Sequence, residues 1–147
     1  MSTRCQIGFY YDHKQSLKNF NFLIYKHFDG DVKATLPELA QILLYFYEKR
    51  RGLFDLEYAS AFVVSKFKKD DLTNIGICED FHDDIEFFYA VYADTTIEIY
   101  KTEMDIEQFD INTHSQLLKT INLKDYQNEE DIIEEAKEIQ EYLEAEE

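Results

Sequence analysis

The stretch IEFFYAVYADTTIEIYKT, residues 85–102, decides the fold class. Two runs rich in β-branched and aromatic residues flank Ala93, Asp94 and Thr95, which is the spacing of a β-hairpin with a three-residue loop. In that register Val91 opposes Ile97 and Tyr89 opposes Ile99, and Phe87 and Ile85 continue the same apolar face. The other face carries Glu86, Phe88, Ala90 and Tyr100, apolar enough to be partly covered.

Upstream, Cys5, Ile7, Phe9 and Tyr11 alternate with Arg4, Gln6, Gly8 and Tyr10, the period of a half-buried strand. The polar run DHKQSLKN, 12–19, follows as a long hairpin loop. Residues 20–27, FNFLIYKH, form a second strand, apolar on both faces near its middle and so placed inside the sheet. Asp29-Gly30-Asp31 then break it, and TNIGIC, 73–78, is a further short strand.

Between these strands the period changes to that of helices. In TLPELAQILLYFYEKRRG, 35–52, Thr35 and Glu38 have capping-box spacing and Pro37 falls in the first turn. Leu36, Leu39, Ala40, Leu43 and Tyr47 recur on one side, Lys49, Arg50 and Arg51 meet the negative end, and Gly52 closes it. A second helix starts at the cap Asp55 and buries Leu56, Ala59, Val63 and Phe67, with Phe62 beside them. Residues 103–127 are ambiguous, and INTHSQLLKTINL is compatible with a short helix capped near Asn112. The terminal NEEDIIEEAKEIQEYLEAEE is an acidic amphipathic helix, capped by Asn128, with Ile132, Ala136, Ile139 and Leu143 as its docking stripe and the last few residues fraying. The expectation is an α+β fold with a mainly antiparallel sheet and helices packed on one face.

At 147 residues and 45% hydrophobic content the chain reads as a single domain, 1–147. The start, MSTRCQIGFYY, lacks the pattern of a secretory signal, and no segment reaches the roughly 20 apolar residues of a membrane span. Cys5 and Cys78 are far apart and lack C-x-x-C spacing, which fits reduced thiols in a cytoplasm. Net charge is −16, unevenly spread: residues 1–69 hold 11 of the 15 cations and 7 of the 31 carboxylates, a net +4, and residues 70–147 hold the remaining 4 and 24, a net −20. The six cations between residues 49 and 69 cluster at helix ends, and the acidic background argues against direct nucleic-acid binding.

Two clusters carry candidate chemistry. In YKHFDGD, 25–31, the His27 imidazole could transfer a proton or bind a metal and Asp29 or Asp31 could orient it; an Asp-Gly turn with a histidine closing the strand accounts for the same residues. In EDFHDD, 79–84, His82 with Asp80, Asp83 and Asp84 could complete a metal site if the loop lies near His27, and a solvated acidic loop is the plainer account. Cys5 with His27 has the residue types of a nucleophile and base, but Cys5 sits on the apolar face, where an inert thiol is expected. Phosphate-loop, dinucleotide, hydrolase-elbow and zinc-helix motifs are all missing, which lowers the case for an enzyme.

The stretches STRCQIGFY (2–10), LIYKHFDGD (23–31), TLPELAQIL (35–43), EYASAFVVSKF (57–67) and DIEFFYAVYADTTIEIYK (84–101) occur in that order. Together they resemble a family of small proteins from phages, archaea and archaeal viruses. Those have an N-terminal Thr-Arg strand, a K-H-x-D-G motif, a helix opening in Leu-Pro and a later D-I-E-containing strand. The resemblance spans residues 2–102 and points to Thr3, Arg4, His27, Asp29, Gly30, Asp84, Glu86 and Tyr89; it departs at Asp31-Val32, where a Tyr-Pro pair is usual. It implies a mobile-element context and brings no established activity.

Two functional expectations result. The first is a small phage- or virus-type accessory protein in the host cytoplasm. Through Glu134, Glu138 and Glu141 it would bind a basic surface of a host protein or nucleoprotein complex, as an anti-CRISPR or DNA-mimic inhibitor of defence machinery does, without cofactor, metal or membrane. The alternative is a small metal-dependent hydrolase or a domain binding a nucleotide-like ligand, with Arg4, His27, Asp29, Asp84 and Glu86 as ligand-binding candidates.

Overall fold

The computed structural model describes residues 3–50, 55–69, 71–126 and 128–145. The chain runs through β1 (Cys5–Tyr10), β2 (Phe22–Lys26), α1 (Val32–Lys49), α2 (Leu56–Lys68), β3 (Ile75–Ile77), β4 (Phe87–Tyr92), β5 (Thr96–Thr102), β6 (Ser115–Asn122), a 3-10 turn at Leu123–Asp125, and α3 (Glu129–Ala145). The fold is α+β, with one six-stranded sheet in the order β3-β2-β1-β4-β5-β6. The β4–β5 hairpin has the expected register, Val91 facing Ile97 and Tyr89 facing Ile99. All neighbours are antiparallel except the central pair, where β1 and β4 run parallel from Cys5↔Phe87 to Tyr10↔Tyr92. The sheet is thus two three-stranded meanders set side by side.

Alternation sorts the side chains. Cys5, Ile7, Phe9, Phe87, Tyr89 and Val91 face the helices, which form one layer. Tyr10, Leu23, Phe88, Ala90 and Tyr92 face the other way, beneath Leu17, Phe20, Phe81 and Phe109 from loops. Both central strands are therefore buried on both faces, where sequence alternation pointed to a half-buried β1. Tyr11 lies beyond the strand end and is exposed. β4 begins two residues later than the apolar pattern does, and the chain kinks ahead of it. Ile85 consequently packs on the loop-covered face, and Glu86 on the helix side, the reverse of strict alternation.

α1 starts one turn earlier than the capping-box spacing suggests. Asp31 is its N-cap, and Pro37 lies inside the helix, removing the donor that would meet the carbonyl of exposed Lys33. Thr35 is buried inside the helix instead of capping it, and Ile42 and Phe46 join the buried side in place of Tyr47. The expected closing glycine, Gly52, lies outside the described residues, as do the last two residues of the chain. α2 follows its expected pattern, Asp55 accepting from the Glu57 N–H at 3.1 Å and Leu56, Ala59, Val63 and Phe67 pointing inward. Residues 115–122 form strand β6, not the short helix with which their pattern is compatible. α3 docks Ile132, Ala136 and Ile139 on the core beside α1, and Asn128 Oδ1 accepts from the Asp131 N–H at 3.0 Å.

Candidate functional site

Three segments converge on the loop-covered side of the sheet at the β2 end. Arg4 precedes β1, Tyr25 projects from β2 with His27 just beyond it, and His82 and Asp84 come from the 78–84 loop. Gln6, fully buried on β1, holds that loop in place: its Oε1 accepts from the His82 N–H at 2.9 Å and its Nε2 donates to the Asp80 carbonyl at 3.2 Å.

Tyr25 is the hub. Its hydroxyl donates to Asp84 Oδ2 at 3.1 Å and lies 3.3 Å from His27 Nδ1, and its ring stacks on His82 at 4.3 Å and 19°. Arg4 Nη1 pairs with the same Asp84 oxygen at 3.3 Å. Burial, then the adjacent Asp84 charge, pushes the Tyr25 phenol up to about 12. It therefore keeps its proton at neutral pH, and that proton is committed to Asp84. The His27 contact then requires His27 Nδ1–H to be the donor. His82 Nδ1 lies 3.9 Å from Asp84 Oδ1 and its Nε2 3.8 Å from Cys78 Sγ. Arg4 Nε and Asp84 Oδ1 are closed off from solvent without hydrogen-bond partners. The loop also borders an open depression of about 840 Å³ lined by Glu79, Asp80, Asp83, Asp84 and Glu107, a strongly negative surface.

Of the candidates, Arg4, His27 and Asp84 come together. Asp29 and Glu86 do not join them. Asp29 is exposed, with φ 55°, and acts through its carbonyl, which accepts from Lys26 Nζ at 3.0 Å and Thr35 Oγ1 at 2.6 Å. Lys26 itself is 4% exposed, donates also to Thr35 Oγ1 at 3.0 Å, and lies over the Phe67 ring. Glu86 turns to the helix side and pairs with Lys101 at 2.9 Å. The segment YKHFDGD thus divides: Tyr25 and His27 face the site, Lys26 and Asp29 tie the strand end to α1, and Gly30 ties it to Thr3 and Tyr89.

Gly30 is required by close approach. Its N–H donates to the Thr3 carbonyl at 2.9 Å, its carbonyl accepts from Tyr89 Oη at 2.8 Å, and an added Cβ would sit 2.8 Å from both Arg4 C and Cys5 N. Because those are backbone atoms, Gly30→Ala is expected to cost about 1–3 kcal/mol in urea unfolding. A loss under about 0.5 kcal/mol would mean that the β1 end yields freely, beyond the tolerance of a packed core.

Among the described residues no group of three or more His, Cys, Asp or Glu side chains is disposed to hold a metal ion. His82, Asp80, Asp83 and Asp84 therefore do not form the metal site their spacing suggested. Cys5 is fully buried and burial pushes its thiol up to about 12, the state of an inert thiol, and it faces the helices, away from His27. Sequence reasoning missed Gln6 and the hub role of Tyr25; a glutamine on an apolar strand and a tyrosine two residues before His27 were the available signals.

Glu134, Glu138 and Glu141 are exposed along α3, and among the described residues none forms an ion pair. Their neighbour Glu135 is engaged, with Lys119 at 3.5 Å and the Tyr126 hydroxyl at 3.2 Å. No described helix is long and apolar enough to cross a membrane. No family model, no curated protein and no solved structure matches the chain.

Proposed function

We propose that this is a small acidic accessory protein of phage or virus type. It works in the host cytoplasm by protein–protein binding, and its acidic surface occupies a basic face of a host nucleic-acid-handling defence complex. One observation carries this reading: Glu134, Glu138 and Glu141 form no ion pair among the described residues and stand along the outer side of α3, while Ile132, Ala136 and Ile139 pin its other side. Carboxylates three and four residues apart are about 4.5–6 Å apart along a helix axis. Duplex DNA carries one charge per about 1.7 Å of axis, so the row is a sparse imitation of a phosphate backbone. The acidic 79–84 loop adds a second negative surface, and the family resemblance supplies the phage and viral setting.

The test is capture of partners from host lysate, then binding kinetics at several salt concentrations for wild type and Glu134→Gln/Glu138→Gln/Glu141→Gln. The expected result is an association rate that falls by about tenfold or more in the triple variant and with rising salt, because surface charge steers encounter. Equal, salt-independent binding by both proteins would leave the acidity as a solubility trait.

The alternative of a nucleotide-like ligand draws support from Arg4, Tyr25, His27 and Asp84 meeting around one hub. A set of nucleotides is screened for a rise in melting temperature, with His27→Ala as the comparison. No rise for wild type, or the same rise for the variant, removes that reading.

A further inference from the structure

The helix layer carries carboxylates along α3 and cations at the C-terminal ends of α1 and α2. α3 lies over the β6 edge, where Glu135 reaches Lys119, and α2 over the β3 edge, where Lys68 Nζ donates to the Ile75 carbonyl at 2.8 Å. α1 lies between them. On the α2 side, α1 and α2 frame a groove of about 450 Å³ with Ile42, Tyr45 and Phe62 as its apolar lining and Glu38, Gln41, Lys66 and Lys69 as its polar residues. Lys49 and Arg50 extend the positive charge at the end of α1.

These four cations have no carboxylate partner within ion-pair distance among the described residues. Three rest over rings instead: Lys49 over Tyr45 at 5.4 Å, Arg50 over Tyr58 at 5.3 Å and Lys66 over Phe62 at 5.3 Å. Tyr45 and Tyr58 are 52% and 58% exposed. A cation over an exposed ring gains only about 0.5–1 kcal/mol and keeps its donors available for an anion. In a chain with 31 carboxylates and 15 cations, four cations against Glu38 and Glu48 make this a locally positive surface.

We infer that this groove receives the acidic outer side of α3 from a second copy of the chain. The complement is present in the same sequence. Glu130, Glu134, Glu138 and Glu141 form one ridge on α3, and Ile133, 38% exposed, stands beside it as an apolar anchor for the Ile42–Tyr45–Phe62 lining. The two patches differ, and both lie on the outer surface of the helix layer, where Gln41 of the groove donates to Glu129 of α3 at 3.2 Å. One such contact per copy runs head-to-tail into open chains or a ring, and two reciprocal contacts close a two-fold dimer in which each groove takes the other copy's α3. The net charge of −16 opposes any self-association at long range, but charges beyond about 8 Å are screened at physiological ionic strength, leaving the local match to decide. Association is consequently strongest at intermediate salt. It is weakened at low salt by net repulsion and at high salt by screening of the docked charges. A basic partner on α3 competes with the second copy, while the self-docking stands without any outside partner.

The test is sedimentation velocity of the full chain across concentration and salt. Wild type is expected to sediment faster with rising concentration, most strongly at intermediate salt. Lys66→Glu/Lys69→Glu and Glu134→Lys/Glu138→Lys should each sediment as monomers while keeping the wild-type circular dichroism and melting temperature. Mixing the two should restore association, since each supplies the sign the other lost. The groove variant leaves α3 intact, so partner capture by that variant separates failure of self-docking from failure of the proposed function. Should a charge reversal disturb folding, Lys66→Gln/Lys69→Gln is used in its place. A wild type that stays monomeric at every concentration and salt overturns the inference, as does association that neither swap alters. A monomer whose groove binds a labelled oligo-dT, with binding lost in Lys66→Glu/Lys69→Glu, also overturns it and reassigns the patch to single-stranded nucleic acid.

Discussion

Replacing Phe88 by alanine is expected to lower the free energy of unfolding by about 3–5 kcal/mol, as large as for a helix-side core aromatic. Phe88 is fully buried on the side of the sheet that no helix covers, 5.2 Å from the Phe81 ring and 6.2 Å from Tyr100. Gly8 lies against it so closely that a Cβ there would sit 2.7 Å from the ring. The loops over this face are held by specific bonds: Tyr10 Oη donates to the Leu17 carbonyl at 2.5 Å, and Gln6 grips the 78–84 loop. Loss of the ring leaves a cavity whose walls cannot readily close. Urea denaturation checks the figure, and a loss below about 1 kcal/mol would show that the loop cover collapses into the space.

The second large effect is expected at Leu43, where alanine should cost about 2–5 kcal/mol. Leu43 is fully buried on the central helix, and the core cluster it belongs to includes side chains from the sheet, α2 and α3. Its cavity therefore opens inside the cluster that joins the helix layer to the sheet. The measurement is again the unfolding free energy, with the denaturant slope as a check that unfolding stays cooperative. A change under about half a kcal/mol would mean that the buried side of α1 is elsewhere.

From Phe87 onward the hairpin register was legible, because period-two alternation and a three-residue loop leave one register that keeps Tyr89, Val91, Ile97 and Ile99 on one face; Ile85 and Glu86, ahead of the strand, were placed on the wrong faces. β6 was not legible. A register irregularity opposite Ile99 and Tyr100 interrupts its alternation, Leu117 ends exposed, and Leu118 packs on the core, so adjacent leucines and Ile121 mimic a helical stripe. The start of α1 was hidden by Thr35, whose spacing to Glu38 imitates a cap while its hydroxyl is taken by Lys26 and the Asp29 carbonyl. At the site, His27 was readable at a strand end and Asp84 in an acidic loop, while Arg4 came only from the resemblance. That they share Tyr25, while Glu86 leaves for the other face, depends on one kink before β4 and on pairing across the sheet, neither of which a local pattern encodes.

The parallel join of β1 to β4 also sets a timetable. Strands β4, β5 and β6 are neighbours in sequence and can pair as soon as they are made, whereas Cys5 must wait for Phe87, about 80 residues later, before the centre of the sheet closes. At a synthesis rate of about 5–20 residues per second, β1 and β2 spend several seconds as a nascent hairpin whose apolar sides have no sheet to join. Newly made chain is therefore most vulnerable to aggregation and to chaperone capture through its N-terminal third, and the late-arriving β4 is the event that ends that exposure.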